Sequence, residues 1–475
     1  MKMNRIIQIL GTSSDSGKTT MAMVLCRHFS DNGYNVAPFK AINMSLNSIS
    51  LNDGSEISRA QWLQAIAART DPSKYMNPFL IKPEGNKKSQ LIVLGKAIGS
   101  LTVDNYYGYI KKNAGRIIKK SLDELLKKYD IIIAEGAGSA AEINMYDRDY
   151  ANTFVSNIYK TPAILISDID KGGVFASLYG TVKLMKHKNL LKYMVINKMR
   201  GDKTLLDSGI QKLEKLLNKR VIGVIPYSNI SLPGEDSLNY NIDRLKNNKI
   251  CIIKYPYMEN YSDFDPFYLY NIGFNYITEK NIDDLNNCDV IILPGSKMVS
   301  YDIDYIKKSG IYNKIIELSG DKKIIGICGG YQMLGKYIID KNKIESNEDK
   351  IKGMGLLNIE TLYNNVKETY EISYKLNDNI FGINNENKGY EIHYGSIINN
   401  NEKPMNYKNN MPEGSIKGNI MGTNIHGIFE NIDFLRYLFN IDFNKYDGVL
   451  NNNINKTTEL FTDNMNMKLI EELIK

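Results

Sequence analysis

Two groups of residues in this 475-residue chain have the types and spacing that reaction chemistry needs. The first is Gly11-Thr12-Ser13-Ser14-Asp15-Ser16-Gly17-Lys18-Thr19, which follows the apolar run Ile6 to Leu10. A Gly-rich turn between a strand and a helix points backbone N–H groups and the helix N-terminus at a phosphate. In such a loop Gly11 and Gly17 permit the turns, Lys18 contacts the outer phosphates of a nucleotide, and Thr19 offers its hydroxyl to Mg²⁺. Counted from Gly11, five residues precede Gly17, one more than the usual P-loop spacing. The second group is Ile327-Cys328-Gly329-Gly330-Tyr331-Gln332, where a strand runs into a cysteine flanked by small residues and then into a helix. This is the form of a nucleophile elbow. A helix N-terminus favours the Cys328 thiolate, and neighbouring backbone N–H groups can hold an oxyanion.

Each group needs partners. Glu135 closes Ile132-Ile133-Ala134-Glu135-Gly136-Ala137-Gly138. A carboxylate at the end of a parallel strand beside a P-loop is placed to bind Mg²⁺. Asp53, in Asn52-Asp53-Gly54-Ser55-Glu56, is a second Mg²⁺ candidate, and Lys40, at the end of Pro38-Phe39-Lys40, can neutralise a phosphate or a substrate carboxylate. Asp168 and Asp170 end another strand at the same rim, and Asn197 ends a later one, where its amide can read an adenine edge. Such a set suits phosphoryl transfer, which depends on positioning and charge neutralisation. A cysteine nucleophile needs a base, and the chain has four histidines. His28 falls in the first helix and His187 at a Lys-rich helix end. His426, in Gly422-Thr423-Asn424-Ile425-His426-Gly427, is the base candidate, while His393 can line a contact with substrate.

The elements that carry these residues alternate. Ile6 to Leu10, Asn35 to Phe39, Ile131 to Ala134, Ala163 to Ser167, Met194 to Asn197 and Val221 to Ile225 read as short strands, most of them separated by helical stretches. That alternation predicts an α/β fold with a mostly parallel sheet between helices. Turn-rich and polar sequence over residues 228–250 marks a boundary, and Ile250 to Ile253, Val290 to Leu293 and Ile324 to Ile327 begin a second α/β series. The expected division is residues 1–245, 246–440 and a C-terminal tail over 441–475. The Asn- and Lys-rich stretch over 340–420 gives no clear pattern.

Composition narrows the function classes. Hydrophobic residues make up 43% and charged residues 24%, as in soluble globular proteins. The net charge of +7 comes from scattered lysines and not from a basic stripe, which argues against nucleic-acid binding. No apolar run approaches a membrane span or a signal-peptide core. The four cysteines, Cys26, Cys251, Cys288 and Cys328, show no CxxC pair, so neither a disulfide framework nor a zinc knuckle is expected. A reduced, cytoplasmic protein acting on small molecules follows.

Together these motifs resemble the cobyric acid synthase family over roughly residues 5–435. The first half is similar to the dethiobiotin synthetase group, which shares the longer loop and the Glu-Gly-Ala-Gly motif. Pro38 to Asn47, Glu56 to Gln61, Met76-Asn77-Pro78, Ala141 to Asn144, Asp147-Arg148-Asp149 and Gly172 to Gly180 resemble the cobyric acid synthase family within that group. The second half resembles a class I glutamine amidotransferase domain of the cobyrinate type. The resemblance implies that Cys328 and His426 release ammonia from glutamine. It also implies that ATP activates carboxylates of adenosylcobyrinic acid a,c-diamide as acyl phosphates, and that ammonia converts the b, d, e and g carboxylates to amides. Many class I amidotransferases carry a Glu two residues after the base histidine; this chain has Ile428 there, as cobyrinate-type enzymes do, and Glu430 falls at the wrong spacing. The rival readings are the sister a,c-diamide synthase and a nucleotide-switched P-loop binding protein, which would have no use for Cys328 with His426.

Overall fold

A computed structural model describes residues 5–84, 88–234, 246–346, 348–440 and 442–475. The Val- and Ile-rich runs form strands buried on both faces, as a helix-covered parallel sheet requires. In the first domain six parallel strands lie in the order Arg220–Pro226, Leu191–Met199, Ala163–Asp168, Ile6–Gly11, Ile131–Glu135 and Val36–Lys40. Gly11, Lys40, Glu135 and Asp168 end their strands and Asn197 lies two residues short of the end of its own, so all five come to the carboxyl edge of one sheet. That edge is where α/β sheets bind ligands.

Between Lys40 and the third sheet strand in sequence lies structure that the motif pattern did not show. Ile42–Met44, Phe79–Glu84, Lys88–Val93 and Lys96–Thr102 form a four-stranded sheet, and Ser48–Ser50 pairs with Glu56–Ser58 in a small hairpin. The helix Val103–Lys128 packs Ile110, Ile117, Leu122 and Leu125 against Phe39 and Ile132.

The second domain repeats the α/β plan. Its sheet runs Ile272–Ile277, Lys246–Ile253, Val290–Leu293, Lys323–Ile327, Ile420–Thr423 and Ser415–Lys417, parallel except for the last pair. The unpatterned 340–420 stretch is largely strand. Its main feature is an antiparallel hairpin of Glu360–Leu376 with Glu386–Ile398. Much of Glu360–Leu376 is exposed or half-buried, and its Asn, Lys and Glu residues dilute the apolar signal, whereas residues 389–393 of its partner are all buried.

The tail over 441–475 contains helices Tyr446–Thr462 and Met467–Glu471. Helix Tyr446–Thr462 buries Leu450, Ile454 and Phe461 in the first domain's core with Met21, Leu25 and Ile222. Arg27 Nη2 donates to Asn451 Oδ1 at 2.8 Å to fix the helix. The chain therefore starts and ends in the same domain. The cysteines also do not stay apart: Cys251 and Cys288 are joined in a disulfide, with Cα atoms 5.8 Å apart. They lie 37 residues apart in sequence, but Cys251 pairs with Ile291, and Cys288 leads directly into that neighbouring strand. The expected boundary at 245/246 falls at residues 235–245, outside the described residues. Among the described residues, no helix is long and apolar enough to cross a membrane.

Candidate active sites

The phosphate loop is built from the end of strand Ile6–Gly11 and the start of helix Lys18–Asp31. Gly17 has φ 102°, and a Cβ there would lie 2.1 Å from Asn197 Nδ2, so both backbone and packing demand glycine. Lys18 Nζ donates to Ser13 O at 2.7 Å, curling its ammonium over the loop. Glu135 is buried at the centre of a small network. It accepts from Thr19 Oγ1 at 2.7 Å, Lys40 Nζ at 2.9 Å and Gln64 Nε2 at 2.7 Å. Thr19 and Glu135 thus set a hydroxyl and a carboxylate side by side at the loop, hard oxygens of the kind Mg²⁺ prefers.

The structure places Asp53 on the Ser48–Ser58 hairpin and Asn197 beneath the phosphate loop. Asp53 is exposed at the turn of the Ser48–Ser58 hairpin. Its carboxylate pairs with Lys74 Nζ at 2.8 Å and with Ser55, and none of these contacts reaches Thr19 or Glu135. Asn197 is buried under the phosphate loop, with Nδ2 donating to Ser16 O at 3.1 Å and Oδ1 accepting from Lys198 N at 2.9 Å. It braces the loop. Lys198 links the loop to the next strand, donating to Asp15 O at 2.8 Å and Asp168 Oδ2 at 2.9 Å. Asp170 is paired with Arg200.

The nucleophile elbow is formed as the sequence predicts. Cys328 has φ 49°, a conformation non-glycine residues adopt only when their surroundings enforce it. Its N–H donates to Thr423 O at 2.8 Å, and its carbonyl accepts from Gln332 N at 3.0 Å. A Cβ at Gly330 would meet Leu293 O at 2.0 Å, and one at Gly329 would meet Ser296 N at 2.8 Å. The two glycines therefore let the elbow press against the Pro294–Ser296 turn. That turn is fixed from behind by Asp302, which is fully buried and accepts from Ser296 Oγ at 2.6 Å and Tyr257 N at 3.0 Å. Ser296 thus lies directly against Gly329, the residue after the cysteine.

His426 is fully buried and within hydrogen-bonding reach of Cys328. Backbone pairing with Tyr390 holds it in place, and the two rings stack at 5.1 Å. Its Nδ1–H donates to Asp263 Oδ2 at 2.8 Å, and Gly427 N–H fixes Oδ1 of the same carboxylate at 2.8 Å. Burial alone would lower the His426 pKa, but Asp263 and Cys328 outweigh it and raise it to about 10. Glu430 does not orient the imidazole; it faces Arg59 Nη2 at 2.6 Å. Asp263 does the job that a Glu at position 428 would do. Spacing along the chain does not reveal it, because it lies in the turn Tyr261–Phe264, in a different part of the chain. The available signal was Asn260-Tyr261-Ser262-Asp263-Phe264-Asp265, polar groups clustered just after a buried strand.

His393 lies on the strand behind Cys328, whose Sγ is 3.7 Å from Ile392 O. It is buried, and neither ring nitrogen has a hydrogen-bond partner. Glu368 and Glu391 lie within 4.8 Å, but Lys408 Nζ already occupies Glu391 Oε2 at 2.6 Å.

Residues 43–61 of the first domain form a polar contact with the second domain. Asn260 Nδ2 lies 3.3 Å from His426 Nε2, while Asn260 Oδ1 accepts from Ser48 N at 3.3 Å. Lys82 of the first domain is fully buried and pairs with Glu56 at 2.6 Å and with Glu259 of the second domain.

Residues 7–237 match the CobQ/CobB/MinD/ParA nucleotide binding domain family, and residues 249–434 match the CobB/CobQ-like glutamine amidotransferase domain family. A probable cobyric acid synthase of Picrophilus torridus is 54% identical to this chain, with 99% of each chain covered. One from Thermoplasma acidophilum is 50% identical over 96% of each. The cobyric acid synthase of Clostridium acetobutylicum is 40% identical over 98% of this chain and 97% of its own.

The chain belongs to the cobyric acid synthase family.

Cobyric acid synthases are amidating ligases, and this member carries both halves of the chemistry: a nucleotide-binding domain and a glutamine amidotransferase domain. The Pro38–Asn47 and Glu56–Gln61 runs, which pointed to this family, both reach the second domain: Asn47 Oδ1 accepts from Ser262 N at 3.3 Å, and Arg59 pairs with Glu430 at 2.6 Å.

Proposed function

We propose that this cobyric acid synthase family member uses ATP and glutamine to amidate the b, d, e and g carboxylates of adenosylcobyrinic acid a,c-diamide. One observation carries the reading. A buried Cys328–His426–Asp263 constellation and a phosphate loop beside Lys40 and Glu135 occupy one chain, and residues 43–61 of the first domain contact the second.

In this reading Cys328 Sγ attacks the side-chain amide carbon of glutamine. The N–H groups of Gly329 and Ser296 hold the oxyanion. His426 gives its proton to the departing nitrogen, Asp263 stabilises the imidazolium, and water later releases glutamate from the thioester. Lys18 and the loop N–H groups hold the nucleotide phosphates, and Lys40 balances charge on the phosphoryl group or the substrate carboxylate. Thr19 and Glu135 would hold Mg²⁺, which supplies charge neutralisation at the phosphates. Ammonia then displaces phosphate from the acyl phosphate. At neutral pH free ammonia is mostly protonated, so release beside the second site supplies the nucleophile in its reactive form.

The test is incubation of the purified chain with ATP, Mg²⁺, glutamine and adenosylcobyrinic acid a,c-diamide, followed by mass spectrometry. Four successive carboxylate-to-amide mass changes are expected, with one glutamate formed per amide. Glutamine hydrolysis with no corrinoid amidation would move the substrate to another carboxylic acid.

A further inference from the structure

In the hairpin of Glu360–Leu376 with Glu386–Ile398, three side chains that the chemistry above does not use come together. Glu391 and His393 stand two residues apart on one strand, which puts them on the same face, and Glu368 pairs directly opposite His393 on the other strand. The ladder shifts register between Tyr363 and Glu368, an irregularity of the kind that re-aims a side chain. One donor atom from each of the three lies within 4.8 Å of the others.

His393 is the informative member. It is 7% exposed, and among the described residues neither ring nitrogen has a hydrogen-bond partner. Buried polar groups in native folds are almost always satisfied, so an imidazole with both nitrogens orphaned marks a place where something binds. Its Nε2 faces the cluster, 3.9 Å from Glu391 Oε2. Burial pushes the His393 pKa down against the pull of Glu391 and Glu368, so the ring is neutral at neutral pH and able to ligate. Glu391 is buried, and Lys408 Nζ donates to its Oε2 at 2.6 Å. A ligating carboxylate commonly keeps such an outer hydrogen bond while its other oxygen meets a metal. Glu368 is half-buried, accepts from Ser396 Oγ at 3.4 Å, and pairs with no lysine or arginine among the described residues. Two carboxylates therefore stand against one ammonium.

We propose that Glu368, Glu391 and His393 bind one divalent transition-metal ion, of which Zn²⁺ fits best. One imidazole nitrogen with two carboxylate oxygens suits such an ion, whereas Mg²⁺ favours oxygen alone and keeps much of its water. Bonds of about 2.0–2.2 Å are reached from the present spacing by small side-chain movements. The ion ties together two strands that back the thiol: Ile392, between the ligands Glu391 and His393, has its carbonyl 3.7 Å from Cys328 Sγ. Its role is to hold this hairpin in place, and it is separate from the hard-oxygen pair Thr19 and Glu135 in the other domain.

The experiment titrates ZnCl₂ into the full-length Cys328→Ala protein, stripped with a chelator, in excess Mg²⁺; the substitution removes the thiol as a rival zinc ligand. Calorimetry is expected to show one Zn²⁺ bound per chain, with a rise in melting temperature because the ion binds only the folded state. Adding Glu368→Gln or His393→Gln weakens that binding by more than about 100-fold, beyond the loss that follows from disturbing an outer hydrogen bond, and abolishes the rise. Glu368 is half-buried, so Glu368→Gln decides the matter should His393→Gln fail to fold. No bound Zn²⁺, its displacement by Mg²⁺, or equal affinity in the parent and the folded variants would each overturn the proposal.

Discussion

Asp263 and His426 lie 163 residues apart in sequence and 2.8 Å apart in space. Both oxygens of the carboxylate are committed, one to the imidazole and one to Gly427 N–H, so the aspartate fixes ring orientation and tautomer together. The strand-end turn after Ile253 and the turn after Thr423 serve to bring these two groups to Cys328.

Replacing Asp263 with Asn removes the charge while keeping the shape. The His426 pKa, now about 10, then falls towards its ordinary value. The alkaline limb of glutamine hydrolysis moves to lower pH, and the rate drops by about 100-fold or more. Because the native pKa is raised, the pair's contribution to stability is complete below about pH 6.5 and is lost as pH rises towards 10. In Asp263→Asn that alkaline loss disappears. A pH–rate profile and a pH series of melting curves check both; an unmoved alkaline limb would show that Asp263 does not tune the imidazole.

Lys40→Met strands Glu135 in the first domain's phosphate site without its cation. A buried carboxylate left without its partner predicts a loss of about 3 kcal/mol in stability. ATP-dependent amidation is expected to fail with glutamine and with added ammonium alike, because the defect lies downstream of ammonia release. Selective loss of the glutamine-driven reaction would place Lys40 in the wrong half of the chemistry.

Lys82→Met probes the interface. Burial would raise the Glu56 pKa, but Lys367 and Lys82 hold it far below the usual carboxylate range. Removing Lys82 takes away the cation shared by Glu56 and Glu259 across the domain boundary and leaves Glu56 with Lys367 alone, at a cost of about 3 kcal/mol. Calorimetry should show the two domains melting separately, where the parent melts as one. The depressed Glu56 pKa also means that its stabilisation is present above about pH 4.3 and is lost as pH falls further. A single unshifted transition in the variant would mean the cluster does not hold the domains together.

What could be read from the sequence was local. The phosphate loop and the cysteine elbow announce themselves because strand, turn and helix are contiguous and the glycines are obligatory. The six strands of the first sheet were legible for the same reason, as apolar runs bounded by turns. Contacts made across the fold were not. Asp263 and the Cys251–Cys288 pair depend on which strands become neighbours, and spacing along the chain does not carry that information. Where Asp53 ends up was not legible either, because a carboxylate beside a glycine turn resembles a metal ligand wherever the turn lies; here it closes a hairpin and pairs with Lys74. The Glu360–Leu376 hairpin was missed because Asn, Lys and Glu on its open face break the apolar alternation. Helix Tyr446–Thr462 hid its core face, Leu450, Ile454 and Phe461, among asparagines.

That helix gives a prediction of its own. Truncation after residue 445 exposes the apolar surface formed by Met21, Leu25 and Ile222. Each large buried side chain is worth roughly 1.5–3 kcal/mol, so the first domain is expected to unfold while the second retains glutamine hydrolysis. Limited proteolysis should then cut first within residues 5–230. Equal protection of both domains in the truncated chain would show that the helix is dispensable.

The most direct test of the two-site account is Cys328→Ala supplied with ATP, corrinoid substrate and either glutamine or ammonium. The account predicts no amide formation from glutamine and near-normal formation from ammonium, because the phosphate site and its Lys40–Glu135 pair are untouched. Full glutamine-dependent amidation by the variant would contradict it.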